Sequence, residues 1–496
     1  MALFALPPEL KLNVIEFLDP DSTLNFALTC RDHATLANST LKEHGRLLSE
    51  WKVVDTTDVR TLLWRVLREV LIDPRQGWYI RELNLPATRQ YNWNVNESLY
   101  GTHPNNGLRP SEKDKGLFIK AARNLRHLYP VTGTKTVLRQ HPRSIEILPF
   151  PQLTIASIED RIHRGFEDAI IILLLHYCPY LNTIRHTVVH EEECLETALW
   201  HIAHEYKNPM IAPMLPLKHL RTVAIAYYDT EGSVSPDWAC YYLCIPSLKI
   251  FAAQGMGNSP SRQVQRSLFP NDAVQCSNVA ELFFWDCRFD VDGLAVVLAA
   301  VRHLEKFTYH GGGSTVSETS SYQAKKGLEA VVTYAAHSLE ELSLGQGYVD
   351  DDLGLDIPGP TAVSLRSLRK LRILDCEWSV LRPETEEEEE DSQHDEPLEE
   401  GFHRAEDDEK TVTEFDVRTI LPECIEELHL VGEFKVYEEW ERLEDTFDNP
   451  SVSTPHLTMD KTCLQRSDSD RRIGDAENRG GVWSHPLTQL FKSHGY

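Results

Sequence analysis

The segment YHGGGS, from Tyr309 to Ser314, contains the residue types that come closest to catalytic chemistry. Glycines that follow a histidine form the oxyanion loop of many esterases, in which backbone N–H groups stabilise a tetrahedral oxyanion. That chemistry needs a nucleophile, and the chain contains no G-x-S-x-G motif. A hydrolase built around His310 and glycines 311–313 therefore requires a Ser or Cys from elsewhere beside a histidine. Otherwise these glycines make a flexible turn after a strand, and we predict that the protein is not an enzyme.

The segment WDCRFDVDGL has a partial calcium-loop pattern. Asp290, Asp292 and Gly293 would be positions 3, 5 and 6 of such a loop. Positions 1 and 12, which require carboxylates, would then be Arg288 and Ala299. The pattern therefore does not predict a calcium site.

Pairs of histidines and cysteines also occur at spacings that metal sites use. The histidine pairs are His186 with His190 and His201 with His204, without an H-E-x-x-H motif. The closest cysteines, Cys240 and Cys244, have no second pair at zinc-site spacing. We therefore predict no bound metal, and the lack of a P-loop or dinucleotide-binding glycine motif predicts no nucleotide cofactor.

Charge and hydropathy restrict the classes of partner. The 496 residues have a net charge of -26, which repels nucleic acid and anionic lipid, so we expect neither as a partner. The longest apolar run, Ala169 to Leu175, is far below the roughly 18 residues of a membrane span. Pro7, Pro8 and Glu9 interrupt the first apolar stretch, which is unlike a secretory signal. These features favour a cytoplasmic or nuclear protein.

Beyond residue 80 the chain repeats a phrase of an apolar residue, two others, an apolar residue, one other and usually a third apolar residue. Its copies are YIRELNL at 79, NLRHLYP at 124, YLNTIRH at 180, HLRTVAI at 219, SLKIFAA at 247, NVAELFFW at 278, HLEKFTY at 303, SLEELSL at 338, SLRKLRIL at 367 and CIEELHL at 424. The last three positions alternate as a strand does. Between copies, residues 292–304 and 325–339 have helical periodicity, with Asp292 as the expected cap of the first. Alternating helices and strands predict an irregular leucine-rich-repeat-like α/β solenoid.

A highly acidic stretch interrupts the array. Residues 384–410 contain 15 acids against Arg404 and Lys410, a net charge of -13, so this stretch should not collapse into a core. We expect repeats over 51–382, an acidic disordered insert over 383–416, a last repeat over 417–445 and a disordered tail over 446–496. The insert is either a solvated linker or a site for a basic partner.

The first fifty residues predict three short helices with more than one apolar face. In LPPELKLNVIEFL, Leu10, Val14, Phe17 and Leu18 make one stripe, whereas Leu12 and Ile15 lie on another. DPDS, from Asp19 to Ser22, ends the first helix and supplies N-caps for the second. Because three short helices bury little surface, something should dock on them. The alternative is a plain helical cap that closes the repeat array.

These fifty residues resemble the F-box. The matching residues are Leu6, Pro7, Glu9, Leu10, Ile15, Leu18, Asp19, Leu24, Ala27, Cys30, Arg31 and Leu36. The resemblance implies a small helical module that holds a Skp-type adaptor and so joins a cullin-RING ubiquitin ligase. The following repeats resemble, more weakly, the degenerate leucine-rich repeats of many F-box proteins, especially fungal ones.

The resemblance points to a set of adaptor-facing residues: Leu6, Pro7, Leu10, Ile15, Leu18, Leu24 and Leu28. Some of this set must instead hold the helices together. We expect Val14 and Phe17 to serve the core of the three helices, and Leu10 and Ile15 to meet the adaptor.

Strand positions that alternate with core residues predict a substrate-binding surface. If Leu282 and Phe284 point inward, Phe283 and Trp285 point outward. The same count exposes Tyr228, Gln254, His310, Arg372 and His429. Aromatic residues and Arg are common interface anchors. The alternative is that a loop or an irregular register covers Phe283 and Trp285.

Together these features predict a non-catalytic substrate receptor without cofactors. Its partners would be a Skp-type adaptor, through it a cullin, and a protein substrate of unknown identity held on the repeats. The alternative is a repeat-based interaction scaffold that is not coupled to ubiquitination.

Overall fold

The structure, a computed structural model, describes residues 6–57, 61–87, 89, 92–94, 97–98, 101–102, 108–130, 153–189, 192–229, 232–257, 261, 268–269, 275–312, 324–345, 362–381 and 417–431. It is an α/β fold in which helices pack on a parallel sheet of ten strands. The predicted acidic insert, the predicted tail, residues 432–445, His190 and Ser314 lie outside the described residues.

Three helices precede the sheet: α1 (Pro8–Glu16), α2 (Pro20–Leu28) and α3 (Arg31–Trp51). A proline opens α1 and α2, where its missing N–H removes no helical hydrogen bond. The Asp19 carboxylate caps α2 by accepting the N–H groups of Asp21 and Ser22, both at 3.0 Å. The Cys30 Sγ accepts the N–H of His33 at 3.5 Å at the start of α3. The predicted helices are therefore present, and the predicted Asp19 to Ser22 cap is confirmed.

The strands follow in chain order as β1 (Val53–Asp55), β2 (Glu82–Leu85), β3 (Glu97–Ser98), β4 (Gly101–Thr102), β5 (Thr183–Val188), β6 (Thr222–Tyr227), β7 (Ile250–Gln254), β8 (Glu281–Cys287), β9 (Lys306–Gly311), β10 (Glu341–Gly345), β11 (Ile373–Glu377) and β12 (Glu427–Val431). Strands β3 and β4 form a small antiparallel pair. The other ten form one sheet, in which every neighbouring pair is parallel and the spatial order is the chain order.

One backbone pattern recurs at each junction between neighbouring strands of this sheet. The carbonyl oxygen of Arg221, just before β6, accepts the N–H groups of Lys249 and Ile250, both at 2.9 Å. Equivalent two-donor carbonyls precede the other strands from β1 to β11. Because each strand is joined in this way to the next, the ten strands begin in register, and the register shifts only after Phe284, between β8 and β9.

Every copy of the sequence phrase except one contains a strand. The exception, NLRHLYP at 124, forms the end of a helix and a 3-10 turn (Leu125–His127). Leu125 and Tyr129 are buried there, at the i, i+4 spacing of a helix face. The phrase fails at this point because its first two apolar positions are also three apart, which a helix accommodates equally well.

The remaining helices are α4 (Leu63–Ile72), α5 (Glu112–Asn124), α6 (Ile155–Arg164), α7 (Asp168–Tyr177), α8 (Glu193–Glu205), α9 (Asp237–Leu243), α10 (Val291–Ala300), α11 (Ala324–Ala335) and α12 (Trp378–Leu381). Each packs against the next in chain order, which makes one continuous layer. The two helices predicted between phrases are α10 and α11. Asp290, not Asp292, caps α10, because its carboxylate accepts the N–H of Gly293 at 2.6 Å.

The sheet has two chemically different faces. The second and fourth residues of most strands, such as Leu282 and Phe284 in β8, join the core beneath the helices. The first, third and fifth residues alternate with them and lie on what we call the opposite face. The opposite face therefore presents two aligned rows with one residue from each of the ten strands, and a third row only from β5 onward.

Among the described helices, none combines the length and the apolar character that crossing a membrane requires.

Candidate functional site

The three N-terminal helices have a small core of their own. Its buried apolar residues are Ile15, Phe26, Ala27 and Ala37, with Leu18, Leu36 and Leu41 packed partly against them. His33 is also buried, stacks on Phe26 with ring centroids 4.1 Å apart, and places Nδ1 2.7 Å from Thr29 Oγ1. This core holds the helices together but consumes only part of their apolar surface.

The rest of that apolar surface is exposed. Phe17 is 82% exposed and Leu28 is 74% exposed, and Leu10, Leu12 and Leu24 are exposed as well. These five residues, which we call the apolar patch, are half of the large exposed apolar side chains among the described residues. Leu24 and Leu28 are four residues apart and so lie on one side of α2, while Phe17 follows the last residue of α1. The helices therefore present apolar surface that the described part of the chain does not cover.

The structure reverses one assignment made from the sequence. Ile15, expected to meet the adaptor, is 1% exposed and lies in the core, whereas Phe17, expected in the core, is almost fully exposed. Both predictions are wrong because the turn after Glu16 directs Phe17 away from α2 and α3. Of the other predicted adaptor residues, Pro7 is exposed and Leu6 and Leu18 are partly buried.

Two polar contacts join the three helices to the sheet. His44 of α3 places Nδ1 2.6 Å from Tyr79 Oη and Nε2 3.2 Å from Thr23 Oγ1. Burial lowers the pKa of His44 and so favours the neutral ring. A second hydrogen bond joins Asp19 to Tyr180. The helices that carry the apolar patch are therefore joined to the sheet by these polar contacts.

The middle of the opposite face is apolar. Ala224, Ala252 and Phe283 form a small buried cluster there, and Ile250 and Trp285 pack against it. The Phe283 and Trp285 rings are stacked, with centroids 5.5 Å apart and an interplanar angle of 3°. The two aromatic residues therefore lie on the predicted face and form a single platform.

Two of the predicted residues on this face differ from the prediction. Phe283 lies on the predicted face but is only 8% exposed, so its expected exposure is wrong, whereas Trp285 is partly exposed. Arg372 is exposed, as expected, but does not lie at a face position. Arg372 precedes β11 and pairs with Glu426 at 2.7 Å, so Ile373 occupies the face position instead. The register was misplaced there because the adjacent Ile373 and Leu374 are both apolar. The other predicted substrate residues, Tyr228, Gln254, His310 and His429, are partly buried and lie at or just beyond face positions.

An open pocket of about 250 Å³ lies on the opposite face over β8 to β12. Its polar lining consists of Lys306, Thr308, Glu341, Ser343, Asp375 and His429, and its apolar lining includes Phe283 and Ile373. Lys306 Nζ pairs with Glu341 at 2.9 Å, and Ser343 Oγ donates to Asp375 Oδ2 at 3.0 Å. The pocket brings together Phe283 and His429 of the predicted set, but not Tyr228 or Gln254.

Ser343 also bears on the hydrolase alternative, because its Oγ lies 3.4 Å from His310 Nε2. A serine is therefore beside this histidine, but the arrangement differs from a catalytic triad. The Ser343 hydroxyl donates its proton to Asp375, whereas a nucleophilic serine donates to the histidine base. Strand β10 pairs on both sides, so its backbone N–H groups serve the sheet and form no oxyanion hole at Ser343. The geometry favours a polar binding surface over acyl transfer.

The histidines considered as metal ligands have other partners. His186 is buried with Nε2 3.2 Å from Glu192 Oε1, and Glu192 also pairs with the buried Arg89. His201 Nε2 lies 3.1 Å from the carbonyl oxygen of Leu128. Among the residues that the structure describes, no group of three or more His, Cys, Asp or Glu side chains is arranged to hold a metal ion.

Reasoning from the sequence missed most of the polar residues of the pocket, although a signal for them exists. Thr308, Ser343 and Asp375 each stand between two buried residues of their strands. For the first two, that position is the single residue between the last two apolar positions of the phrase. Aligning the phrases on this position would have placed Thr308 and Ser343 in one row with Phe283 and His429, whereas in SLRKLRIL it selects Arg372 and misses Asp375.

Comparisons with known proteins add no family assignment. Neither a scan against protein-family models nor a search of curated proteins found a match to this chain.

Proposed function

We propose that the protein is the substrate-recognition subunit of a Skp-cullin-F-box ubiquitin ligase. The observation that carries this proposal is the apolar patch, which lies on the helices whose sequence resembles the F-box. A contiguous segment that exposes five large apolar side chains favours a site for another protein. The Skp-type adaptor is the partner that the resemblance implies.

The patch and the core have separate roles in this proposal. Ile15, Phe26 and Ala37 hold the helices in place, while Phe17, Leu24 and Leu28 remain available as anchors. Removing a central anchor from a protein interface typically costs about 2 kcal/mol or more. Variants of the exposed residues should therefore weaken adaptor binding without unfolding the helices.

The sheet and its helix layer would form the substrate-binding part. The aligned parallel strands, the recurrent two-donor carbonyls and the helices packed in chain order support an irregular leucine-rich-repeat-like α/β solenoid. A substrate held on its opposite face would be kept near a ubiquitin-charged enzyme supplied by other subunits. The acceleration would come from proximity, and the protein would work in the cytoplasm or nucleus.

The second candidate is a repeat-based scaffold that never joins a ligase. It shares the opposite face with the first candidate and differs only in the partner of the apolar patch. An experiment on that patch therefore separates the two.

The test is co-purification of the full-length chain with a Skp-type adaptor and a cullin. Leu28→Asp places a charge in the apolar patch, and Ile72→Asp is the matched control, since Ile72 is a 65% exposed apolar residue at the end of α4. We expect the wild type and Ile72→Asp to recover both partners and Leu28→Asp to recover at least tenfold less adaptor, as about 2 kcal/mol predicts. Circular dichroism would show that both variants remain folded.

Two results would contradict the proposal. One is a wild-type chain that recovers no adaptor, which would favour the scaffold. The other is equal recovery by Leu28→Asp and Ile72→Asp, which would show that the apolar patch does not bind the adaptor.

A further inference from the structure

Charge is distributed unevenly over the opposite face. Its β8 to β12 half has five acids against one base, a net charge of -4 among the described residues: Glu281, Glu341, Asp375, Glu377 and Glu427 against Lys306. The β1 to β7 half carries Asp55 and Glu82 against Arg185. We call the first of these halves the acidic half.

The residues that precede the strands also change, from basic in the first half to mainly acidic in the acidic half. Lys52, Arg81, Arg221 and Lys249 precede strands of the first half. Glu305, Glu340 and Glu426 precede strands of the acidic half, where Arg372 is paired with Glu426. The two sets reinforce each other, so a partner that crosses the sheet meets opposite fields at its two ends.

The pocket lies within the acidic half and is small. Its volume of about 250 Å³ is below the roughly 300–1,000 Å³ of small-molecule sites, so it suits one or two side chains of a protein segment. The cation already inside it, Lys306, is paired with Glu341. Asp375 accepts one hydrogen bond, from Ser343 to Oδ2, which orients the carboxylate within the pocket.

We propose that the acidic half binds an Arg- and Lys-rich segment of a partner protein, with an arginine side chain in the pocket against Asp375. This inference rests on the proposed function, since the segment would belong to the substrate. Charge complementarity selects a basic occupant over an acidic or neutral one.

The pocket favours arginine over lysine for geometric reasons. A guanidinium is planar and donates two parallel hydrogen bonds to a carboxylate such as Asp375. A lysine ammonium would gain the charge interaction but not this two-point contact.

The experiment measures binding of labelled peptides to the full-length protein by fluorescence anisotropy near 0.15 M salt, where exposed charges are well screened. The probe alternates Arg with Gly and Tyr, and matched peptides replace Arg by Lys, Gln or Glu. Asp375→Asn removes the pocket carboxylate. Asp55→Asn is the control, since it makes the same charge change on the same row of the face in β1, roughly 38 Å away at 4.8 Å per strand.

We expect the Arg peptide to bind more tightly than the Lys peptide, and both to bind more tightly than the Gln and Glu peptides. Asp375→Asn should weaken Arg-peptide binding about tenfold, because a charge-assisted hydrogen bond is lost. Asp55→Asn should change it less than twofold.

Equal weakening by the two variants, or equal binding of the Arg and Gln peptides, would overturn the inference. Binding that emerges only after residues 432–496 are deleted would also overturn it, because the chain's own tail would then be the occupant. Adaptor recovery is measured in a separate experiment. A failure of peptide binding therefore leaves the proposed function intact, and a failure of adaptor recovery does not by itself change the result for the peptides.

Discussion

Apolar side chains are treated differently in two regions: the three N-terminal helices and the body, which consists of the ten-stranded sheet and the helices packed on it. In the body, Phe284 contacts both Phe251 and Phe307 in a continuous core beneath the helices. In the N-terminal helices, Phe26 is buried while Phe17 is almost fully exposed. The body therefore buries most of its apolar side chains, whereas the N-terminal helices leave several of theirs exposed.

Size explains part of this difference. A core of four buried apolar residues on three helices cannot enclose both sides of each helix. The body avoids the problem because each strand and helix is covered by the next copy of the same arrangement. The lesson is that apolar character alone does not predict burial in a small unit joined to a large sheet.

The largest expected effect comes from a series of phenylalanine truncations. Phe284→Ala should destabilise the body by about 3–5 kcal/mol, because the ring is fully buried among Phe251, Phe289, Phe307 and Tyr309. Urea unfolding monitored by circular dichroism would measure this loss.

Within the N-terminal helices, the same truncation should have different effects on stability at Phe26 and at Phe17. Phe26→Ala should unfold α1 to α3 locally, whereas Phe17→Ala should change the free energy of unfolding by less than about 0.5 kcal/mol. Hydrogen exchange of these helices gives the local readout. A loss at Phe17→Ala comparable with that at Phe26→Ala would break the comparison.

The second effect concerns buried carboxyl groups, which occur in the body but not in the described core of the N-terminal helices. Burial raises the pKa of Glu167 from 4.5 to about 8, against the opposing effect of Arg89. The folded state therefore binds a proton that the unfolded chain releases above pH 4.5. This contribution is fully present below pH 4.5 and is lost as the pH rises to about 8, by up to about 1.4 kcal/mol per pKa unit.

Glu167→Gln removes this titration without removing the hydrogen-bonding atoms. Urea unfolding of both proteins at pH 5, 6.5 and 8 should therefore show the wild type losing stability relative to Glu167→Gln as the pH rises. A constant difference across that range would mean that Glu167 is ionised in the folded protein.

The repeated phrase predicted the body well because burial and periodicity agree there. Leu339, Leu342 and Leu344 occupy its three apolar positions, and all are buried. The phrase failed where apolar residues were adjacent, as at Ile373 and Leu374, because period two then has two equally good registers. The pocket was not predicted, because its lining comes from the neighbouring strands β8 to β12 and the sequence of one strand does not show which strands pair with it.

The N-terminal helices were predicted as elements, but their faces were not. Helical spacing groups Phe17 with Leu10 and Val14, yet Phe17 follows the last residue of α1, where the chain turns. A position at a helix end no longer follows the periodicity of the helix. Tertiary contacts of Ile15 with α2 and α3 then decided which face was inside.

A smaller effect is expected where the two regions meet. Tyr79→Phe removes the hydroxyl that contacts His44 and should cost about 1 kcal/mol of local stability. Because burial lowers the pKa of His44, its contribution is present above the ordinary value of about 6.5 and is lost as the pH falls. Hydrogen-exchange protection factors, which correct for the slower intrinsic exchange at low pH, should thus fall in α1 to α3 between pH 7.5 and 5 with little change in the sheet. Protection that falls equally in both would show that the regions unfold as one.

The smallest effect is expected at Ser343, on the face that contrasts with the apolar patch. Ser343→Ala removes one partly exposed hydrogen bond to Asp375, so stability should fall by less than about 1 kcal/mol. Arg-peptide binding should weaken only two- to threefold, since the carboxylate remains but is less well oriented. Adaptor binding should not change, because Ser343 is remote from the apolar patch.

The same variant tests whether this serine has any catalytic character. A fluorophosphonate probe labels activated serines, so the wild type and Ser343→Ala should be labelled equally weakly if the hydroxyl only orients Asp375. Labelling of the wild type that disappears in Ser343→Ala would show that His310, 3.4 Å away, activates the hydroxyl. The comparison would then change from two binding surfaces to one binding surface and one reactive site.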